Sequence, residues 1–363
     1  MLPYAQRHMV GPFIFFDHLG PVDLPRGLAR EADVRPHPHI GLATVTYLFA
    51  GEIMHRDSTG VEQAIRPGEV NWMTAGRGIT HSERFEQARR EGAPMHAIQA
   101  WVALPLEAEE TAPVFAHHAG SDLPLHADGG ASLRLLAGEA FGLRSAVTTH
   151  SPLFYAHVSL EAGARTALPD DYPERAAYLV SGAVSAAGQE LAPGQMIVFD
   201  GRAPVALQAR APSVLMLLGG EPVGPRFIEW NFVSSSKERL EQAKADWRAG
   251  RMKLPDDYPE RAAYLVSGAV SAAGQELAPG QMIVFDGGAP VALQARAPSV
   301  LMLLGGEPVG PRFIEWNFVS SSKERLEQAK ADWRAGRMKL PDADNSEFIP
   351  LPPDVHESAG AMS

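Results

Sequence analysis

An 86-residue block, Leu168 to Lys253, recurs almost verbatim as Leu254 to Lys339, the one difference being Arg202 in the first copy and Gly288 in the second. Two identical segments cannot occupy one place in a single core, so this repeat constrains the fold before composition is weighed. Solenoid units have shorter periods and diverge as each adapts to its neighbours, so the block reads as a recent duplication or an assembly artefact. Leu-Pro-Asp stands at 168–170, 254–256 and 340–342, as recombination across a short shared sequence would leave it. Subtracting 86 from 363 leaves 277 residues, the length of two domains of about 140 residues each.

The net charge of -11 and the lack of any Lys/Arg run longer than Arg89-Arg90 argue against a nucleic-acid surface, which needs a basic face. The chain has no cysteine, which excludes disulfides, iron-sulfur clusters and thiolate zinc sites and leaves nitrogen and oxygen to hold any metal. The start, Met1 to His8, carries no apolar export segment, and no stretch of about 18 uncharged apolar residues follows. A soluble, cytoplasmic protein without a membrane partner is expected.

Short apolar or alternating runs separated by turn residues predict strands at Leu42–Phe49, Val70–Met73, Ala97–Val102, Leu133–Leu136, Phe154–Leu160, Ala177–Val180, Met196–Phe199, Pro204–Gln208 and Val214–Leu218. The class is all-β, a barrel or sandwich. One helix is expected from about Ser236 to Gly250, where serines precede Leu240, Ala243 and Trp247 at helical steps, with its copy from Ser322 to Gly336. The proline-bearing tail from Asp342 reads as extended, then disordered.

Twelve of the thirteen histidines lie in the first 157 residues, and the duplicated block holds none, so chemistry is expected at the front of the chain. In Arg35-Pro36-His37-Pro38-His39 the two histidines are two apart, which on a strand points both to one face. His81-Ser82-Glu83 offers an imidazole and a carboxylate with the same spacing. A lone His-x-His pair is common and means little, but two such pairs in a β context can share an ion. The 41 residues between His39 and His81 allow the pairs to meet across a barrel. Three imidazoles and one carboxylate around an octahedral divalent ion leave two positions for water, oxygen or substrate. His55 and Asp57, on or near a turn, are candidates to line the pocket or orient a ligand, with plain hydrogen bonding as the alternative. His18 is a further candidate to support the site or to pack under the barrel, and His96 reads as structural.

Met9 to His18, Asp33 to Leu48, His55-Arg56-Asp57-Ser58 and Val70 to Glu83, followed by Gly219-Gly220-Glu221-Pro222 and Asp246-Trp247-Arg248-Ala249-Gly250, resemble the pirin family of the cupin superfamily. The resemblance implies two cupin barrels with a short C-terminal helix, and a metal ion held by His37, His39, His81 and Glu83. Iron(II) is the expected metal, with manganese, nickel, copper or zinc as alternatives. The implied division is a metal-binding cupin domain at 1–125, a second cupin without metal ligands at 126–253, a partial cupin at 254–339 and a tail at 340–363. Family members also carry a strand-forming stretch ahead of the segment matching Leu2-Pro3, and the second 86-residue copy has no counterpart among them.

The first copy follows directly on Leu133–Leu160, which is expected to supply partner strands, so its loop closure costs less. Copy one should complete the second barrel. Copy two should form a partial sheet with an exposed edge, open to swapping or aggregation. The leading functional expectation is a quercetin 2,3-dioxygenase acting on a flavonol and O2, with Glu83 as ligand and base. A metal- or redox-dependent regulator that binds a protein partner is the alternative, as is a non-redox cupin metalloenzyme.

Overall fold

Runs of alternating apolar residues between glycine and proline turns form strands throughout, and only three α-helices occur among the described residues. The structure is a computed structural model describing residues 2–252, 260–285, 291–306, 310–338 and 349–350. It divides into two compact units, Met1–Asp257 and Tyr258–Ser363. The expected tail lies outside the described residues apart from 349–350.

Nine strands build the first barrel: β1 (Phe13–Leu24), β2 (Val34–His39), β3 (Leu42–Ala50), β4 (Ile53–Asp57), β5 (Glu62–Ile65), β6 (Val70–Thr74), β7 (Ile79–Arg84), β8 (Ala93–Ala103) and β9 (Val114–His118), with a short helix α1 (Glu86–Glu91). They form two sheets, in the orders β1-β8-β3-β6-β9 and β2-β7-β4-β5. The second barrel follows with β10 (Leu125–Asp128), β11 (Ala131–Ala140), β12 (Leu143–Arg144), β13 (Leu153–Leu160), β14 (Arg165–Leu168), β15 (Glu174–Ser181), β16 (Val184–Ala186), β17 (Gln189–Leu191), β18 (Met196–Asp200), β19 (Val205–Ala209) and β20 (Ser213–Gly220). Its larger sheet runs β10-β11-β13-β20-β15-β18 and its smaller one β14-β19-β16-β17. This is the all-β double cupin that the resemblance implies, and each run predicted as a strand lies in one, except that Pro204 stands just ahead of β19.

The period of two along a strand sorts side chains between two cores. Tyr155, Tyr178, Met216 and Leu218 point at the first barrel and pack on Phe13, Val45, Tyr47, Ile98 and Val102. Their neighbours Phe154, Leu179, Leu215 and Leu217 point the other way and fill the second barrel with Leu133, Leu135 and Leu207. An interior packed this way is apolar.

Beyond β20 the chain returns to the first barrel through a hairpin, β21 (Phe227–Glu229) and β22 (Phe232–Ser234), and helix α2 (Lys237–Arg248). Ser236 caps the helix, its hydroxyl accepting from the Arg239 N–H at 3.2 Å. Phe232, Leu240 and Ala243 close over Ile40, and buried Glu109 pairs with Arg226 at 2.8 Å while accepting from Ser234 and Ser235. Gly41 permits this docking. It sits at φ +66°, and a Cβ there would lie 2.0 Å from the Val233 carbonyl oxygen.

Copy one supplies β15 to β20, and β20 lies between β13 and β15. In copy two the equivalent strands are β23 (Glu260–Ser267), β24 (Val270–Ala272), β25 (Gln275–Leu277), β26 (Met282–Phe285), β27 (Leu293–Ala295) and β28 (Val300–Gly306), followed by a hairpin and helix α3 (Lys323–Arg334). Their sheets have the orders β26-β23-β28 and β25-β24-β27. Among the described residues β28 pairs with β23 alone. The consequence is visible residue by residue: Met216, Leu217 and Leu218 are fully buried, whereas the identical Met302, Leu303 and Leu304 are 57%, 68% and 49% exposed. Burying such a side chain stabilises by roughly 1.5–3 kcal/mol, so copy two forgoes much of what holds copy one together. Identical sequence folds to unequal ends because only one set of partner strands exists.

Candidate metal centre

The proline-flanked histidines extend as β2, and the run after Gly78 extends as β7, the two pairing antiparallel with His37 opposite His81. On the other side of β7, β4 sets His55 opposite Glu83 and Asp57 opposite His81. Residues directly opposite share a face, so His37, His39, His81, Glu83, His55 and Asp57 all belong to one side of the four-stranded sheet. His55 and Asp57 are therefore strand residues, not turn residues. Period-two reading failed there because Ile53-Met54-His55-Arg56-Asp57 alternates in burial but not in polarity, two apolar residues being followed by three polar ones.

One ring nitrogen from each of His37, His39 and His81 lies within 4.8 Å of the others. The Nε2 atoms of His39 and His81 are 3.1 Å apart. The remaining nitrogens explain why. His39 donates Nδ1–H to the backbone carbonyl of Asn231 at 2.9 Å, and His37 donates Nδ1–H to that of Arg35 at 2.8 Å. A carbonyl only accepts, so each ring must carry its proton on Nδ1, leaving a lone pair on Nε2. Trp101 meets the His39 ring edge-on at 5.1 Å between centroids and limits its rotation.

Burial pushes His39 and His81 well below the usual histidine range, and the neighbouring imidazoles add to the effect, His37 on His39 and both His39 and His37 on His81. Neutral imidazoles are what a metal ligand requires. Lone pairs converging in a buried space suit a divalent cation, and the residues present fit one. Glu83 is buried on the same face, its Oε1 reached by Thr46 Oγ1 and Gln99 Nε2 at 3.4 Å each, and it stands outside the tight three-histidine group.

Asn231 was not foreseen. It lies in the histidine-free duplicated block, which sequence reasoning sets apart from the site, yet its carbonyl orients His39 across 192 residues of chain. No side-chain signal marks a backbone carbonyl, so only the docked arm reveals it. His18 takes another place: its Nδ1 pairs with Tyr178 Oη at 2.8 Å and its Nε2 with His96 Nε2 at 2.7 Å, which leaves no ring nitrogen for the cluster. His96 is its partner there, stacked on it at 4.9 Å.

Comparison with known proteins agrees with this architecture. The family model described as pirin matches residues 1–102, and that of the pirin C-terminal cupin domain matches residues 155–253 and again 251–339. A pirin-like protein of Caulobacter vibrioides is 61% identical over 257 residues, covering 70% of this chain and 89% of that protein. The crystal structure of a quercetin 2,3-dioxygenase from Acinetobacter baumannii superposes with a TM-score of 0.66 at 35% identity, over 71% of this chain and 85% of that one. A second structure of that description from the same organism gives 0.62 at 28% identity, over 68% and 88%. Among the described residues no helix is long and apolar enough to cross a membrane.

Proposed function

This chain belongs to the pirin family, and we propose that it is an iron(II)-dependent dioxygenase of flavonols such as quercetin, with His37, His39, His81 and Glu83 as the metal ligands. The observation that carries the reading is that one ring nitrogen from each of His37, His39 and His81 lies within 4.8 Å of the others, the His39 Nε2 lone pair being 3.1 Å from His81 Nε2, in a barrel similar to that of a quercetin 2,3-dioxygenase. Two lone pairs at that distance repel unless a cation or a proton lies between them.

When bound, the ion supplies positive charge that stabilises a deprotonated hydroxyl beside it. Everything else falls to the chain. The three histidines keep their Nε2 atoms unprotonated by donating or sharing their other ring proton. Glu83 is the fourth donor and the base that receives the proton of the substrate's hydroxyl, since it shares the face of His81 and, among the described residues, its carboxylate is restrained by two long contacts. Trp101, Phe115 and Met73 give this side of the barrel apolar walls against which a planar substrate can exclude water.

Oxygen uptake with quercetin by the iron-loaded protein is the deciding experiment. Turnover that disappears in His37→Ala and in Glu83→Ala is expected, and iron-replete protein that consumes no oxygen with quercetin sinks the proposal.

A further inference from the structure

Two of the three clustered histidines are oriented by main-chain carbonyls, and the third is not. His81 turns its Nδ1 toward Nδ1 of His55 at 3.4 Å, and Nε2 of His55 meets Asp57 Oδ2 at 3.0 Å. All three side chains are buried. The other oxygen of Asp57 accepts from Thr59 N–H at 2.8 Å, from the Thr59 hydroxyl at 2.6 Å and from Val61 N–H at 3.4 Å. Phe115 stacks on the His55 ring at 4.4 Å and 24°, so that ring cannot swing away.

With the His55 ring neutral, one arrangement of protons follows along this line. A carboxylate bound by so many N–H and O–H groups only accepts, so the His55 proton facing it sits on Nε2. Nδ1 of His55 then bears a lone pair. The facing Nδ1 of His81 must carry a proton for the contact to be attractive, which leaves the His81 lone pair on Nε2, the nitrogen 3.1 Å from His39.

We propose that His55 and Asp57 are positioning residues that fix the tautomer and ring orientation of His81, so that its Nε2 is held as a metal donor. The inference rests on the reading of the cluster as a metal site and adds a side-chain relay to it. His37 and His39 are oriented by groups that no substitution at those positions can remove, but His81 depends on two side chains. Outer-shell partners of a ligating histidine generally matter at the level of 10–100-fold in metal affinity, and the relay places that sensitivity on residues that touch neither metal nor substrate.

The test uses the full chain and two readouts besides turnover. Long-range nitrogen-15 NMR of the metal-free protein near neutral pH reports which nitrogen of His81 bears the proton, and cobalt(II), titrated against a competing chelator, reports affinity through its visible absorption. Wild-type protein should show His81 protonated on Nδ1. His55→Phe, which keeps the stacking on Phe115 but offers no acceptor, should lose that preference and bind cobalt 10–100-fold more weakly. His55→Gln, whose amide oxygen can accept from His81, should recover most of the affinity. Asp57→Asn should fall between them, and it serves where His55→Phe fails to fold.

Wild-type affinity in His55→Phe and Asp57→Asn, with an unchanged His81 tautomer, overturns the relay and leaves the metal site standing. A wild-type chain that binds no cobalt, or a His37→Ala variant that binds it as well as wild type, overturns the metal reading. Because the tautomer is read without metal, the two failures are distinguishable.

Discussion

His39 and His81 face each other through Nε2 at 3.1 Å, each with its other ring nitrogen turned to a partner outside the cluster. With a lone pair on each Nε2, that relationship is unfavourable in a bare site and favourable around a cation. Metal binding should therefore stabilise the fold. At a free divalent ion concentration about 100 times the dissociation constant, the gain for the Met1–Asp257 unit is about 2.7 kcal/mol. Calorimetry with and without chelator checks this, and His39→Ala should abolish the difference.

Gly41 and Val233 give a second handle on the same site. A Cβ at Gly41 would lie 2.0 Å from the Val233 carbonyl oxygen, and φ is +66° there, so Gly41→Ala must push the arm off the first barrel. The Asn231 carbonyl would move with it and release His39. A loss of about 1–3 kcal/mol is expected from the strained backbone, with weaker metal binding besides. Chemical unfolding and metal titration would both have to match wild type for this account of the arm to fail.

His157 sets an acid limit. Burial, and after it the charge of Arg134, lowers its pKa to about 4. Its Nδ1 accepts from the Tyr47 hydroxyl at 2.7 Å, which suits the neutral ring. The unfolded chain, with a histidine near 6.5, binds the proton first as pH falls, so stability is complete above that value and declines down to about 4. The contribution is about 3 kcal/mol. Unfolding measured across that window should show a shallower slope in His157→Gln, and an unchanged slope would contradict the assignment.

The surplus copy should govern association. Strand β28 carries no charge or proline to guard its open edge, and its Met302, Leu303 and Leu304 are exposed. The full chain is expected to self-associate at micromolar concentration, whereas a variant lacking residues 254–339 should be monomeric with unchanged metal stoichiometry. Light scattering after size-exclusion chromatography decides, and a compact monomeric full-length chain is the contrary result.

How much of this could be read in advance depends on whether the information is local. The two His-containing pairs are visible because a strand repeats every two residues, so spacing alone puts His37 with His39 and His81 with Glu83. Helix α2 is equally legible from its serine cap and the steps of Leu240 and Ala243. Strand β1 was missed. Its twelve residues include Gly20-Pro21, a turn signal in isolation, and its pairing with β8 absorbs the break as an irregular register between Leu19 and Val22.

By itself, then, the sequence determined the class of fold, the nitrogen and oxygen chemistry open to a cysteine-free chain, and which histidines could share a face. Tertiary structure alone decided that His55 and Asp57 stand behind His81, because register between β4 and β7 is a non-local property that no spacing encodes. It also decided that a carbonyl from the far end of copy one orients His39. Most tellingly, it decided the fate of two segments with nearly the same sequence. Both carry the same local preferences, but β13 offers one hydrogen-bonding edge, and the strand that takes it is buried while its twin is left in water.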